Sequence, residues 1–415
     1  MKKIHNTLLT TALASAMAFS ATSHAGLSDD KVKIGVLADM GGVYADVCGQ
    51  GCVEAVKMAV EDFGGTVLGM PIEIVSADDQ NKPDVGSVKV REWVEKDQVD
   101  VVTGMVSSAV TGAVTKVLTA NEKIALIATS ASHAFTTKAC SPFNAHWTYD
   151  VVSLANGTVK PMVQSGKKKW FFITADYAFG HALEKVATGV IKENGGEVVG
   201  VVRAPLGTSD FSSYVLQAQS SGADVVALAN AGSDMVNSLK TAAEFGLTEM
   251  VDVAGLLVFT PSALALDPEV AAGMKLTTGF YWNMDKQTRD WTTRFQKRNG
   301  GKIPAMGQAG AYSATMHYLK AVKAVGTDES KAVMAQMKAM PVEDFFSRNG
   351  YLRVDGRMVH DMLQVRIKSA SERDSEQDVF AVEKVIPGDD AFLPLEKGGC
   401  AFALEEQKKT LAANK

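Results

Sequence analysis

The chain has 415 residues, 46% of them hydrophobic, with 42 basic against 47 acidic side chains and a formal charge of −5. That length accommodates two domains with substantial cores. The mild acidic balance, with basic residues scattered rather than striped, gives no ground for a nucleic-acid surface.

Met1–Ala25 opens with Lys2, Lys3 and His5, runs through an apolar stretch from Leu8 to Phe19, and closes on Ser23-His24-Ala25. This is the pattern of a secretory signal removed after Ala25. The apolar stretch is shorter than the roughly 18 residues a membrane span needs, and no later segment supplies them. The nearest cysteine to the cleavage point is Cys48, which argues against a lipid anchor. The mature protein is expected to be soluble, outside the cytoplasm and inserted in no membrane. Four cysteines in an exported chain point to disulfides, and sequence leaves three pairings open. Cys48 and Cys52 lie close together near a helix start while Cys140 and Cys400 are remote, so the pairs expected are Cys48–Cys52 and Cys140–Cys400. Without a C-x-x-C motif no redox role is expected.

From Lys31 onward, β-branched runs alternate with helical patterns. Strands are expected at 32–38, 72–78, 99–104 and 124–129, with helices at 51–63, 83–96 and 108–120 between them. Strands that alternate with helices imply a parallel sheet covered on both faces, with ligands bound at the carboxyl ends of the strands. Tyr44, Ser107, Ser108, Ser130 and Ser132 would gather at those ends. In VVTGMVSSAVTGAVTKVL (101–118) a strand passes through Ser107-Ser108 into a helix. A hydroxyl there, the free amides of the first turn and the positive end of the helix dipole together suit a carboxylate.

A second run of the same kind follows the aromatic patch His146-Trp147-Thr148-Tyr149. A helix at 151–164 leads to strands at 170–176, 197–204, 223–230, 251–257 and 274–282, with helices at 181–194, 212–221 and 234–245. Two similar α/β lobes imply a cleft, a favoured ligand site. Helices at 288–298, 309–325 and 330–340 come next, then strand, turn at Asp355-Gly356 and strand over 350–368. These late elements read as returns to the lobes, so that the chain crosses between them more than once.

The signal segment, VKIGVLADMGGVYADVCGQGCVEAVKMAVEDFGG, the VSSAV and ATSAS loops, TADYAFG, LANAGSDMVNSLKTAAEFGL and DGRMVHDMLQVRI together resemble the periplasmic substrate-binding proteins of branched-chain amino acid type ABC importers. The resemblance covers Lys31–Cys400. It implies an α/β periplasmic binding protein fold of type I, with two Rossmann-like lobes joined by a three-strand hinge crossing near Trp147, Thr278 and Asp355. The implied division is 26–147 plus 279–359 for the N-terminal lobe and 148–278 plus 360–415 for the C-terminal lobe. It implies a monomer without cofactor that closes its cleft on a small carboxylate and delivers it to a membrane permease.

Carried over by position, the family's carboxylate clamp falls on Ser107-Ser108 and on Ser130, Ala131 and Ser132. The aromatic that closes from the second lobe falls on Tyr177 or Phe179, and Asn230 ends a strand on the same side. Amino-acid binders of the family hold the ligand ammonium with an acid in the second lobe, whereas the corresponding loop here, Gly255-Leu256-Leu257-Val258, has none. An ammonium buried without a counter-charge costs several kcal/mol. Family branches that resemble this chain in YADVCGQG, HWTYD and DGRMVHDM bind aromatic carboxylates. The expected ligand is therefore an aromatic acid, with branched-chain or other hydrophobic amino acids next and amides or other small solutes after them. Tyr44, Phe179, Leu257 and Tyr281 would supply apolar walls.

Asp39, Asp46, Asp78 and Asp79 sit on separate strand ends without the spacing of a metal loop and read as turn carboxylates, so no metal is expected. His133 reads as a solvated loop histidine, and Asp176 as a cap or a ligand contact. Glycines near Gly41 and Gly49 do not fit G-x-G-x-x-G, and no G-x-S-x-G elbow occurs, so no enzyme is expected. A clamshell that signals to a membrane receptor is the alternative of another class.

Overall fold

A computed structural model describes residues 26–413, with side chains as far as Lys409. The expected signal segment lies outside these residues. The first strand, β1 (Val32–Ala38), is buried along nearly its whole length, as a strand covered on both faces must be. Ile34 and Val36 belong to the core on one face and Leu37 to the core on the other. It lies inside a six-stranded sheet ordered β2-β3-β1-β4-β5-β6. The partners are β2 (Thr66–Val67), β3 (Met70–Asp78), β4 (Val101–Gly104), β5 (Ile124–Ile127) and β6 (Asn144–His146). All pairings are parallel except β2 on β3. Helices Gly49–Phe63 and Met306–Val325 cover one face, and Pro83–Glu95 and Ser108–Ala120 cover the other. Gly35 is a packing requirement, since a Cβ there would lie 2.7 Å from the ring of the buried Trp93.

The second lobe has a four-stranded parallel sheet of β7 (Lys169–Ala175), β8 (Glu197–Ala204), β9 (Val225–Ala229) and β10 (Asp252–Gly255), ordered β10-β9-β7-β8. The expected repeat ends there. Strand β11 (Lys275–Thr278) does not extend the parallel sheet. A small antiparallel sheet follows, formed by β12 (Pro341–Val342), β13 (Gly350–Leu352) and β14 (Met358–Val359). The last two strands, β15 (Met362–Ile367) and β16 (Phe380–Ile386), join β11 in the antiparallel order β11-β15-β16. The turn at Asp355-Gly356 is present, with Gly356 at φ +84, but the strand after it splits, and only β14 pairs back on β13. Strand β16 escaped the sequence reading because its FAVEKVI is largely exposed and interrupted by charge. The helix expected over 151–164 contains a π-helical segment, Ala155–Val159. There Gly157 abuts β11 so closely that a Cβ would lie 2.2 Å from Thr277 Oγ1.

Three passages of chain connect the sheets, after β6, after β11 and between β14 and β15, and they touch one another. A Cβ on Gly279 would meet Thr148 O at 2.9 Å and the His360 ring at 3.4 Å. The fully buried Arg357 donates to Trp147 O and to Tyr149 O (3.3 Å), and its guanidinium lies 3.5 Å from Asp150 and 4.4 Å from the Phe392 ring centre. The crossings are expected near Trp147, Thr278 and Asp355, and the third passage, between β14 and β15, runs through His360-Asp361. The C-terminal tail differs from the expected division. Cys400 is bridged to Cys140, and Leu395, Cys400 and Ala403 pack with Val354, which returns the tail to the first lobe. Both expected disulfides, Cys48–Cys52 and Cys140–Cys400, are present.

Candidate functional site at the cleft

The loops that follow β1, β4, β5, β7, β9 and β10 converge, as the carboxyl ends of parallel strands do. In the loop after β1, Asp39 organises the backbone, accepting from the amides of Gly42 (2.7 Å) and Tyr44 (3.1 Å). Gly42 has no room for a Cβ, which would lie 2.6 Å from the Asp39 carboxylate. The Cys48–Cys52 bridge fixes the far end of the loop at the start of helix Gly49–Phe63. At the end of β4, Gly104 adopts φ +94 where a Cβ would strike Leu37 O at 2.3 Å. That turn aims Val106–Ser108 into the cleft. Ser107 is the N-cap of helix Ser108–Ala120 but its side chain makes no capping bond, and Ser130 Oγ donates to Ser108 Oγ at 3.2 Å.

From the second lobe, Tyr177 reaches across and its hydroxyl shares a hydrogen bond with that of Tyr44. Burial, before any neighbouring charge, pushes both hydroxyls above the ordinary tyrosine range, so both stay neutral. Gly232, at φ +61, brings the loop after β9 onto Tyr44, where a Cβ would meet Val43 O at 2.6 Å. Tyr149, on the first crossing passage, meets Phe259 of the second lobe edge to face at 6.1 Å. The two lobes are thus in contact. They enclose a cavity of about 10 Å³ between Tyr44, Ser108 and Ala131 on one side and Tyr177, Phe179 and Leu257 on the other. Val106, Tyr149, Ala231 and Phe259 complete the wall.

Six of the residues singled out from sequence therefore meet at one cavity: Tyr44, Ser108, Ala131, Tyr177, Phe179 and Leu257. Ser130 stands behind Ser108. Ser132 instead caps the short 3₁₀ turn His133–Thr136 through the amide of Ala134. Asn230 turns away from the cavity to donate to Ser238 Oγ at 3.1 Å. Tyr281 is not a cavity wall. Its hydroxyl donates to Asp378 at 2.6 Å and its ring packs on Phe380, because the chain after β11 folds over the antiparallel sheet and not over the cleft. Asp176, left open between cap and ligand contact, pairs with His181 at 2.7 Å on the surface. Asp39 and Asp78 accept turn amides, as read from sequence, and so does one oxygen of Asp79.

The sequence reading missed Asp234. It is buried at the start of helix Ser233–Glu244, accepts from the amide of Gly207 (3.1 Å) through Oδ2, and has no partner for Oδ1 among the described residues. Burial raises its pKa to about 6. Its charge acts on both Tyr44 and Tyr177. The signal that could have found it is its place two residues beyond Gly232, just after a strand end. The cavity is thus lined by the Ser108 hydroxyl at a helix N-terminus and by the paired tyrosines, and Asp234, outside the lining, is near enough for its charge to act on both tyrosines.

Residues 31–373 match the family model of the periplasmic binding proteins. A periplasmic binding protein from Burkholderia mallei is 46% identical, covers 90% of this chain and 99% of its own, and has a TM-score of 0.88. A branched-chain amino acid ABC transporter periplasmic ligand-binding protein from Burkholderia xenovorans is 37% identical, over 89% of this chain and 99% of its own, at a TM-score of 0.81. A solute-binding protein of an ABC transporter from Rhodopseudomonas palustris, in complex with 3,4-dihydroxybenzoic acid, shares the fold at a TM-score of 0.79, with 19% identity and coverage of 87% and 98%. Among the described residues no helix is long and apolar enough to cross a membrane. The chain belongs to the periplasmic binding protein family, as a solute-binding protein of an ABC transporter.

Proposed function

We propose that this protein captures a small aromatic carboxylate by closing its two lobes and hands it to an ABC permease. The observation that carries this is the cavity itself, where the Ser108 hydroxyl at a helix N-terminus faces aromatic and aliphatic walls and the loop after β10 presents Leu257 where the family's amino-acid binders carry an acid for the ammonium. The carboxylate lies at Ser108, the ring between Tyr149, Phe179 and Leu257, and any hydroxyl on the far side of the ring points to Tyr44 and Tyr177. The cavity between the touching lobes is smaller than a benzoate, so the lobes part at these tyrosines to admit the ligand and close again around it with the Tyr44–Tyr177 contact displaced. The closed form is then favoured by contacts that both lobes make to the ligand. The R. palustris solute-binding protein of the same fold is in complex with 3,4-dihydroxybenzoic acid, an aromatic acid of the proposed class.

One observation favours a second ligand class. Asp234 places a carboxylate near the tyrosine end, and it could balance the ammonium of a hydrophobic amino acid. A thermal-shift and calorimetry panel of benzoate, 4-hydroxybenzoate, benzamide, leucine and phenylalanine separates the two. Benzoates should stabilise the protein by about 2.7 kcal/mol at one hundred times their dissociation constant, with benzamide inert. Binding of leucine or phenylalanine with no response to benzoates overturns the aromatic-acid assignment in favour of Asp234 as an ammonium partner.

A further inference from the structure

We infer that Asp29, Asp100 and Asp328 form a site for one hard divalent cation, Ca²⁺, which ties the start of the described chain to the base of the first lobe. One carboxylate oxygen from each lies within 4.8 Å of the others. That distance is about the widest separation two oxygens can have when both sit roughly 2.4 Å from a common Ca²⁺. The three residues come from separate segments: Asp29 precedes β1, Asp100 directly precedes β4, and Asp328 lies between helices Met306–Val325 and Ser330–Ala339. They sit where β1 and β4 begin, the end of the sheet opposite the ligand cleft.

The surroundings do not satisfy this cluster. Lys123 pairs with Asp100 at 3.0 Å, and the amide of Lys33 donates to the same carboxylate at 2.9 Å. Ser28 donates to Asp328 through its amide (2.9 Å) and hydroxyl (2.7 Å). Among the described residues, however, both buried oxygens of Asp29 have no hydrogen-bond partner. The Lys33 ammonium stays 3.8 Å away and donates instead to Asp97 O at 2.5 Å. Three carboxylates thus face two ammoniums. A separate element supplies an independent sign. Tyr318, on helix Met306–Val325, is 0% exposed, its hydroxyl has no partner among the described residues, and the charges acting on it are Asp100 and Asp328. Buried polar groups left unpaired are costly, and a cation with its bound water satisfies Asp29 and Tyr318 together. The donors are all oxygen, which selects Ca²⁺ or Mg²⁺ over zinc or copper. The flanking lysines keep the affinity in the range of about 10⁻⁴–10⁻³ M typical of extracellular calcium modules.

The test uses the protein freed of metal with EDTA. Added CaCl₂ should raise the Tm by about 2 °C or more, saturating in that concentration range, with MgCl₂ less effective. Asp29→Asn should abolish the response. No hydrogen bond of Asp29 is lost in that variant, and its metal-free Tm should stay level or rise as repulsion is relieved. Tb³⁺ bound at the site should show aromatic-sensitised emission that drops in Tyr318→Phe. Benzoate binding should be unchanged by EDTA. The absence of any Ca²⁺ response at ten times the upper concentration, or a response that Asp29→Asn retains, overturns the site.

Discussion

The hydroxyls of Tyr44 and Tyr177 meet across the cleft and share a hydrogen bond, although one side chain follows the first strand of the first lobe and the other precedes the first helix after β7. Because burial keeps both neutral, this contact is a latch that a ligand hydroxyl can replace without moving a charge. Tyr177→Phe should weaken binding of 4-hydroxybenzoate by about 1 kcal/mol, close to fivefold, and of benzoate by less. Calorimetry on both ligands checks this, and an equal loss for the two would show that the latch does not meet the ring substituent.

Ser108→Ala should weaken a carboxylate ligand by about 1–3 kcal/mol, since its hydroxyl lines the cavity at a helix N-terminus. Thermal stability should change little by comparison. Unchanged affinity for the true ligand removes Ser108 from the site.

Gly232 has φ +61 and no room for a Cβ beside Val43 O. Gly232→Ala should therefore hold the lobes apart, lowering ligand affinity at least tenfold, about 1.4 kcal/mol, while each lobe stays folded. Small-angle scattering with saturating ligand should report a larger radius of gyration than for the wild type. A compact liganded variant would contradict the close approach.

His146 is buried and donates through Nε2 to Ser130 O at 2.7 Å, and burial holds its pKa well below the usual histidine range. His317, donating to Met337 O at 2.8 Å, is lowered in the same way. The unfolded chain takes up these protons near pH 6.5 while the native state refuses them, so their contribution to stability falls as the pH drops below 6.5. Asp79 and Asp234, each raised to about 6 chiefly by burial, act in the opposite sense between pH 6 and 4. His146→Gln keeps a donor without the titration. The variant should therefore lose less stability than the wild type between pH 7 and pH 5, measured by denaturant melts. Parallel curves would mean that His146 is not resisting protonation.

The Cys140–Cys400 bridge spans 260 residues and fastens the tail to the first lobe. Replacing both cysteines by serine should cost about 2–5 kcal/mol by urea unfolding. Affinity should be unaffected, because the bridge lies outside the cleft. A change in affinity without one in stability would place the tail in the closing motion.

Much of the architecture could be read from periodicity. Strands β1, β3, β4, β5, β7, β8 and β9 are apolar runs bounded by turn residues, and each falls within a few residues of its expected limits. Strands of two or three residues, such as β2 and β6, carry too little pattern to register, and β16 is masked by its exposed charges. For the cleft, residues at the carboxyl ends of strands were legible because the end of a parallel sheet is a local property. Tyr44 and Ser108 were found this way, whereas Ala131 and Tyr177 were implied by the family resemblance. Tyr149 was seen only as part of an aromatic patch, and Tyr281 was misplaced, because which core an aromatic enters depends on how the chain folds back after its strand.

The sequence by itself determined the alternation of strand and helix, the serine turn at a helix start, and the absence of an acid in the loop after β10. These follow from nearest-neighbour chemistry along the chain. Only the tertiary structure decided that Asp234 stands behind the tyrosines, that Asp29, Asp100 and Asp328 share one corner, and that Gly232 presses on Tyr44. Each of these joins residues far apart in sequence, and their proximity is set by the packing of sheets and helices, which leaves no periodic trace.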